Sequence, residues 1–318
     1  MAIIKSDEMP DFVEYNGMQS FPGPYYFRDV QANAFFLPGD FDKMSALCET
    51  MFGKPSAGEA AYVPLSDMLM FSFIDITDAG SVDAPKVGGE NEKELAIWML
   101  LGRTDGPGSD KIVSLAGFNP YLIVNNPLAV NDGRTIYGYM KQYGLITMPD
   151  DEGNEKFIAK AFGAKTLEED WRYRPVVTLT PKGPARGPGR VWTDITGLAE
   201  VIRDGVEGMN FNIHPSWSLA KELAHDMWTE TLPQVFLKQF RDIADPMKAA
   251  YQAITEAPVE FSNVKGITID RAYEMRIEDL YNTAIAETLG IDPVTQIDFG
   301  ISFTMDFTLE TGREIWRA

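Results

Sequence analysis

The chain is short of cysteine, histidine and positive charge. Cys48 is the single cysteine among 318 residues, so no intramolecular disulfide can form, which fits a reducing compartment. It lies in the helix-like stretch 42–51 and reads as a small buried apolar residue. The two histidines, His214 and His225, are joined by no cysteine or carboxylate at metal-ligand spacing. Both read as structural, and no metal is expected. Lysine and arginine number 28 against 47 acidic residues, a formal net charge of −19. Such a field repels phosphate backbones and anionic lipid, so neither nucleic acid nor a membrane is an expected partner. It also disfavours small anionic substrates unless a local cation captures them. No apolar run approaches the roughly 18 residues that cross a bilayer. Residues 1–11 lack a basic segment followed by an apolar one, so no signal peptide is expected and the location reads as cytoplasmic.

Familiar catalytic and cofactor motifs are missing too. There is no G-x-S-x-G elbow, no P-loop and no dinucleotide fingerprint. Gly102 to Gly106 is a turn, and Gly88-Gly89 runs into acidic residues that would repel phosphate. No cofactor is expected.

What is present is a succession of short apolar runs bounded by Gly, Pro, Asn or Asp. Strands are expected at 34–37, 69–76, 95–101, 111–114, 121–124, 156–162, 176–180 and 265–273, with a long alternating strand at 295–309. Helices are expected after Asp40 or Asp42, which could cap the first, and at 193–203, 216–228 and 277–289, the last ended by Gly290. Residues 181–190 form a loop rich in Pro and Gly, with Lys182, Arg186 and Arg190. It reads as solvated, although it could attract anions. Strands come in runs and do not alternate with helices, which points to an antiparallel α+β or β-barrel domain and not to a doubly wound sheet.

One segment bears on chemistry. Asp132-Gly133-Arg134-Thr135-Ile136-Tyr137-Gly138-Tyr139-Met140-Lys141 resembles the signature of the acetoacetate decarboxylase superfamily, in which a Gly-Arg pair leads through an apolar strand to a Schiff-base lysine. Further segments resemble the family in the same order: Phe21-Pro22-Gly23-Pro24-Tyr25, Leu232-Pro233-Gln234-Val235-Phe236-Leu237-Lys238, and Met305 to Leu309 with Gly312 and Ile315. The resemblance implies a cone-shaped antiparallel β-barrel with flanking helices, assembled as a homo-oligomer. It implies an N-terminal arm over 1–20 and one domain over 21–318, in which 166–230 could hold a lid or an oligomer contact. It places Lys141 at the nucleophile. An amine attacks a carbonyl only when unprotonated, and burial among apolar groups favours that form. By residue pattern alone, Lys141 reads as a strand-end lysine with its ammonium in water, and it is the resemblance that makes it the nucleophile.

The surroundings depart from the family. Pro38 stands at or near the position of an arginine that manages the substrate carboxylate, with Arg28 close by but out of register. Ser72 replaces one glutamate. A second should fall among Glu90, Glu92 and Glu94, with Glu92 the choice, although that stretch also reads as a solvated acidic turn. Gln142 replaces the second lysine of a pair. The expectation is therefore a Schiff-base lyase acting on a keto acid, ketone or aldehyde, by decarboxylation or by aldol condensation, dehydration or cyclisation. Lys141 is the nucleophile and Glu92 the proton-transfer group. Tyr137, Tyr139, Ser72 and Met140 are expected to contact the substrate. A missing cation could come from Arg186 and Arg190. The alternative is a non-catalytic small-molecule binding protein on the same fold.

Overall fold

A computed structural model of the chain describes residues 9–13, 20–83, 90–149, 153–184, 187, 189–207, 209, 211 and 231–318. The helix expected at 216–228, both histidines and Arg186 lie outside them.

The chain opens with strand β1 (Tyr25–Pro38) and helix α1 (Phe41–Cys48). Asp40 caps α1 by accepting from the amides of Asp42 and Lys43, each at 3.0 Å. A π-helical turn over Glu49–Gly53 follows, and Cys48 is buried between the two. Strands β2 (Tyr62–Pro64), β3 (Met68–Ser81), β4 (Glu90–Thr104) and β5 (Ile112–Val124) come next. Helix α2 (Pro127–Asp132) and a second π-helical turn (Gly133–Tyr137) lead into β6 (Lys141–Thr147). Then come β7 (Phe157–Gly163), β8 (Arg172–Lys182), β9 (Val191–Trp192) and α3 (Ile195–Glu207). The last part holds β10 (Gln234–Arg241), β11 (Ala249–Ala257), β12 (Val259–Thr268), β13 (Ala272–Ile277), α4 (Ile285–Leu289), β14 (Val294–Ile297), β15 (Gly300–Leu309) and β16 (Arg313–Arg317).

These strands form one 16-stranded sheet whose main path runs β14-β13-β8-β7-β6-β5-β4-β3-β1-β15-β12-β9. Strands β10, β11, β16 and β2 branch from it. The expected barrel is not what is seen: among the described residues the path stays open, ending at β14 with four residues and β9 with two. Nor is the sheet wholly antiparallel, because β5 pairs in parallel with both β6 and β10. Parallel neighbours need a crossover, and for β5 and β6 it is α2 with its π-helical turn.

Several expected elements shift for physical reasons. The runs at 111–114 and 121–124 are one strand, with Pro120 accommodated where the β4–β5 register slips between Ile97 and Met99. The helix expected over 277–289 shrinks to α4. Asp279 accepts from the amides of Ala286 and Glu287 at 2.8 Å and holds a turn ahead of it. Gly290, at φ 66°, ends α4 as expected. The strand expected at 265–273 divides between β12 and β13, and that at 295–309 between β14 and β15.

Side-chain alternation gives the sheet two different faces. On β3, Leu69, Phe71 and Phe73 enter a solid core, joined by Leu95, Ile97 and Met99 of β4 and by Phe35 and Leu37 of β1. The intervening residues face the other way. Met70, Ser72, Ile74 and Ile76 of β3 and Glu92, Glu94, Ala96 and Trp98 of β4 line a cavity of about 210 Å³. β15 adds Ile301, Phe303, Met305, Phe307 and Leu309 at the same two-residue period.

Gly138 tests how tightly the chain is held behind this cavity. It has φ +97°, and a Cβ there would lie 2.7 Å from Lys238 Cβ and 2.8 Å from its Cα. Gly138→Ala is expected to cost more than the roughly 1–2 kcal/mol of left-handed strain alone. Gly106→Ala, at φ +107° with nothing within 4 Å, should lose only that strain. Urea denaturation of both variants measures the difference, and equal losses would show that Lys238 gives way freely.

Candidate active site

Lys141 stands where the crossover rejoins the sheet. Asn126 starts α2 by accepting from the Leu128 amide at 2.9 Å, with Pro127 in the first turn. The π-helical turn then ends at the left-handed Gly138. The path from Gly133-Arg134 to Lys141 is therefore helical where a strand was expected. The motif residues have local reasons. A Cβ on Gly133 would meet Lys141 Cδ at 2.7 Å, so glycine leaves room for the lysine side chain. Arg134 donates to the Lys141 carbonyl at 3.0 Å and anchors its backbone.

Partners from distant strands fix the same segment. Lys238 donates to the Ile136 carbonyl at 2.9 Å, Thr255 to the Tyr137 carbonyl at 2.7 Å, and Tyr139 to Gln234 Oε1 at 2.7 Å. The Phe21 amide donates to the Asp132 carboxylate, and the Tyr25 hydroxyl donates to the Phe21 carbonyl. Three of the four segments that carry the resemblance, 21–25, 132–141 and 232–238, thus meet around Lys141.

The lysine is 9 % exposed, with Nζ 3.5 Å from Glu92 Oε1 and 5.7 Å from the centre of the Tyr139 ring. Its ammonium is not out in water. Glu92 and Glu94, two apart on β4, share the cavity face and are 4 % and 8 % exposed. Burial, and then the neighbouring Glu92, push the Glu94 carboxyl up to about 8 against the opposing pull of Lys141. Glu94 is thus protonated at neutral pH. Burial also raises Asp132 and the phenols of Tyr137 and Tyr139. Among the described residues, Ser72 Oγ, Glu92 Oε2 and Trp98 Nε1 have no hydrogen-bond partner.

Of the expected contact residues, Glu92, Ser72, Tyr137 and Tyr139 line the cavity with Lys141. Met140 does not: it is 36 % exposed on the side opposite its two neighbours. Gln142 also points away and accepts from Thr283 at 3.0 Å. Pro38 is exposed at the end of β1. Arg28 is exposed beside Asp78, and Arg190 is occupied by Glu200 and Asp204 at 3.1 and 2.7 Å. None of these cations reaches the cavity, where Lys141 is the only lysine or arginine among the described lining residues. Choosing Glu92 alone missed that Glu94 faces the same space. Alternation along Glu92, Glu94, Ala96 and Trp98 was the available signal. Asp132 and Gln234 carried no signal beyond their motifs.

No protein-family model matches the chain, and no curated protein matches it significantly. Solved structures do. Acetoacetate decarboxylase from Legionella pneumophila aligns with a TM-score of 0.61 at 14% identity, over 97% of this chain and 93% of that one. An acetoacetate decarboxylase-like enzyme from Sphingomonas wittichii RW1 aligns with a TM-score of 0.56 at 12% identity, over 94% and 95%. The enduracididine biosynthesis enzyme MppR, complexed with the condensation product of pyruvate and imidazole 4-carboxaldehyde, aligns with a TM-score of 0.52 at 15% identity, over 94% and 92%.

Glu94 makes stability depend on pH. Its folded value lies above that of a free glutamate, so the folded state holds a proton that the unfolded chain has released between about pH 4.5 and 8. Its contribution is complete below that window and is lost as pH rises through it. Glu94→Gln should flatten this loss by an amount on the order of a few kcal/mol, measured as urea stability from pH 5 to 9. An identical slope in both proteins would show that Glu94 titrates normally.

Proposed function

From the acetoacetate decarboxylase-like fold as premise, we propose that the chain is a Schiff-base-forming enzyme acting on carbonyl compounds, with Lys141 as nucleophile. The observation that carries this reading is a buried amine in a mainly apolar cavity, 3.5 Å from one carboxylate, with a second buried carboxyl two residues further along the same strand face.

The roles follow from proton positions. Glu92 is within reach to take a proton from the ammonium and free the amine. The nitrogen lone pair then bonds to the substrate carbonyl carbon, and the C=O π pair moves to oxygen. The adduct's nitrogen passes one of its protons to that oxygen and Glu94 supplies a second, so the oxygen leaves as water while the nitrogen lone pair freed by the first transfer closes the C=N bond. The iminium withdraws electrons from the adjacent carbon. A carboxylate at Glu92 or Glu94 can then take an α-proton and leave an enamine, which adds to a second carbonyl.

This aldol and dehydration course is favoured over decarboxylation by the lining. Among the described lining residues are three carboxyl side chains and one lysine, with no arginine to hold a substrate carboxylate. MppR shares the fold and is seen with a condensation product, the kind of product this course would give.

Borohydride reduction after incubation with neutral ketones, aldehydes and keto acids tests the reading. A stable mass increase is expected on Lys141 and is expected to vanish in Lys141→Ala. Adduct formation should also fall above about pH 8, as Glu94 gives up its proton, and Glu94→Gln should abolish that limb. Absence of any Lys141 adduct across the panel would leave a non-catalytic binding protein.

A further inference from the structure

The cavity extends well past the carboxyl cluster. On β4 the lining passes from Glu92 and Glu94 to Ala96 and Trp98, and on β3 from Ile76 and Ile74 to Ser72 and Met70. Leu198 and Ile202 of α3 line the far end. The register sets the scale. Glu94 pairs with Ile74, so Ser72 lies two residues, about 7 Å, beyond that row, and Trp98 lies about 13 Å beyond Glu94. A small keto acid held by Lys141 would leave this stretch unfilled.

Two polar atoms interrupt the apolar stretch. Ser72 is 1 % exposed, and neither its Oγ nor Trp98 Nε1 has a hydrogen-bond partner among the described residues. Both can donate, and buried donors are ordinarily paired. Among the described lining residues the one cation, Lys141, stands against Glu92, so a carboxylate placed there would be desolvated without compensation. A neutral oxygen would not be.

From this arrangement we infer that the substrate is an uncharged, mainly apolar carbonyl compound. Its reacting carbonyl meets Lys141, its body lies along β3, β4 and β15, and a second oxygen accepts from Ser72 or, one alternation further along β4, from Trp98. This rests on the Schiff-base reading of Lys141 and adds the substrate class. Ser72 and Trp98 then set specificity, selecting oxygenated apolar ketones over plain ones.

Calorimetric binding of benzylacetone, para-hydroxybenzylacetone, acetoacetate and pyruvate tests it. Wild-type protein is expected to bind benzylacetone at least about tenfold tighter than either keto acid, because the phenyl group is buried. The para-hydroxy compound should bind roughly two- to tenfold tighter again, the range of one hydrogen bond. Ser72→Ala and Trp98→Phe should each shrink that second ratio. Keto acids binding as tightly as benzylacetone would overturn the inference, and so would a hydroxyl preference that survives in both variants. Borohydride trapping separates this from the underlying reading. The expected affinities without a Lys141 adduct would support the ligand class and remove the Schiff base. Adducts with keto acids alone would keep the Schiff base and remove the ligand class.

Discussion

The contact between Lys141 and Glu92 sets the terms for everything around it. An ammonium and a carboxylate 3.5 Å apart in an apolar space attract strongly. Burial first, and then the negative charge of Glu92 beside it, push the Glu94 carboxyl up to about 8. The cluster therefore holds three chemical states within a short reach: a lysine that can be deprotonated, a carboxylate that can receive its proton, and a carboxylic acid that can donate one.

The fold keeps that cluster in place by giving the sheet two faces with different duties. One face is filled mainly by aromatic and aliphatic side chains. The other carries the cluster and the cavity. Because β4 is fixed through its Leu95, Ile97 and Met99 face, Glu92 and Glu94 cannot turn away without moving the core. The crossover does the same for Lys141. Arg134 holds the carbonyl of Lys141 itself, and Lys238, Thr255 and Gln234 each hold a backbone or side-chain atom of the segment before it. The lysine is thereby placed in the row of Leu122, Ala96 and Ser72.

The residues that could be read from sequence were those whose pattern had a local cause. Asp40 and Gly290 showed the limits of their helices because capping depends on a few neighbouring atoms. Lys141 was legible through its motif, and Gly133 and Gly138 have steric reasons that involve Lys141 and Lys238. What could not be read depended on distant pairing. The open sheet, the parallel β5–β6 contact and the merging of two short runs into β5 follow from strand partners far away in the chain. Met140 was misplaced for a different reason. Next to Lys141 in sequence, it faces outward, since alternate residues of an extended segment point to opposite sides. Glu94 was one alternation away from the chosen Glu92, and the hydroxyl of Ser72 gains meaning only from the cavity that β3 and β4 line together.

Trace acylation of Lys141 with acetic anhydride across a range of pH, quantified by peptide mass in wild type and Glu92→Gln, tests the controlling role of the ion pair most directly. The account requires the Lys141 titration midpoint to move to lower pH in Glu92→Gln, because the ammonium loses the carboxylate that stabilises it. A midpoint that stays where it is in wild type would contradict the account and show that Glu92 does not govern the charge of Lys141.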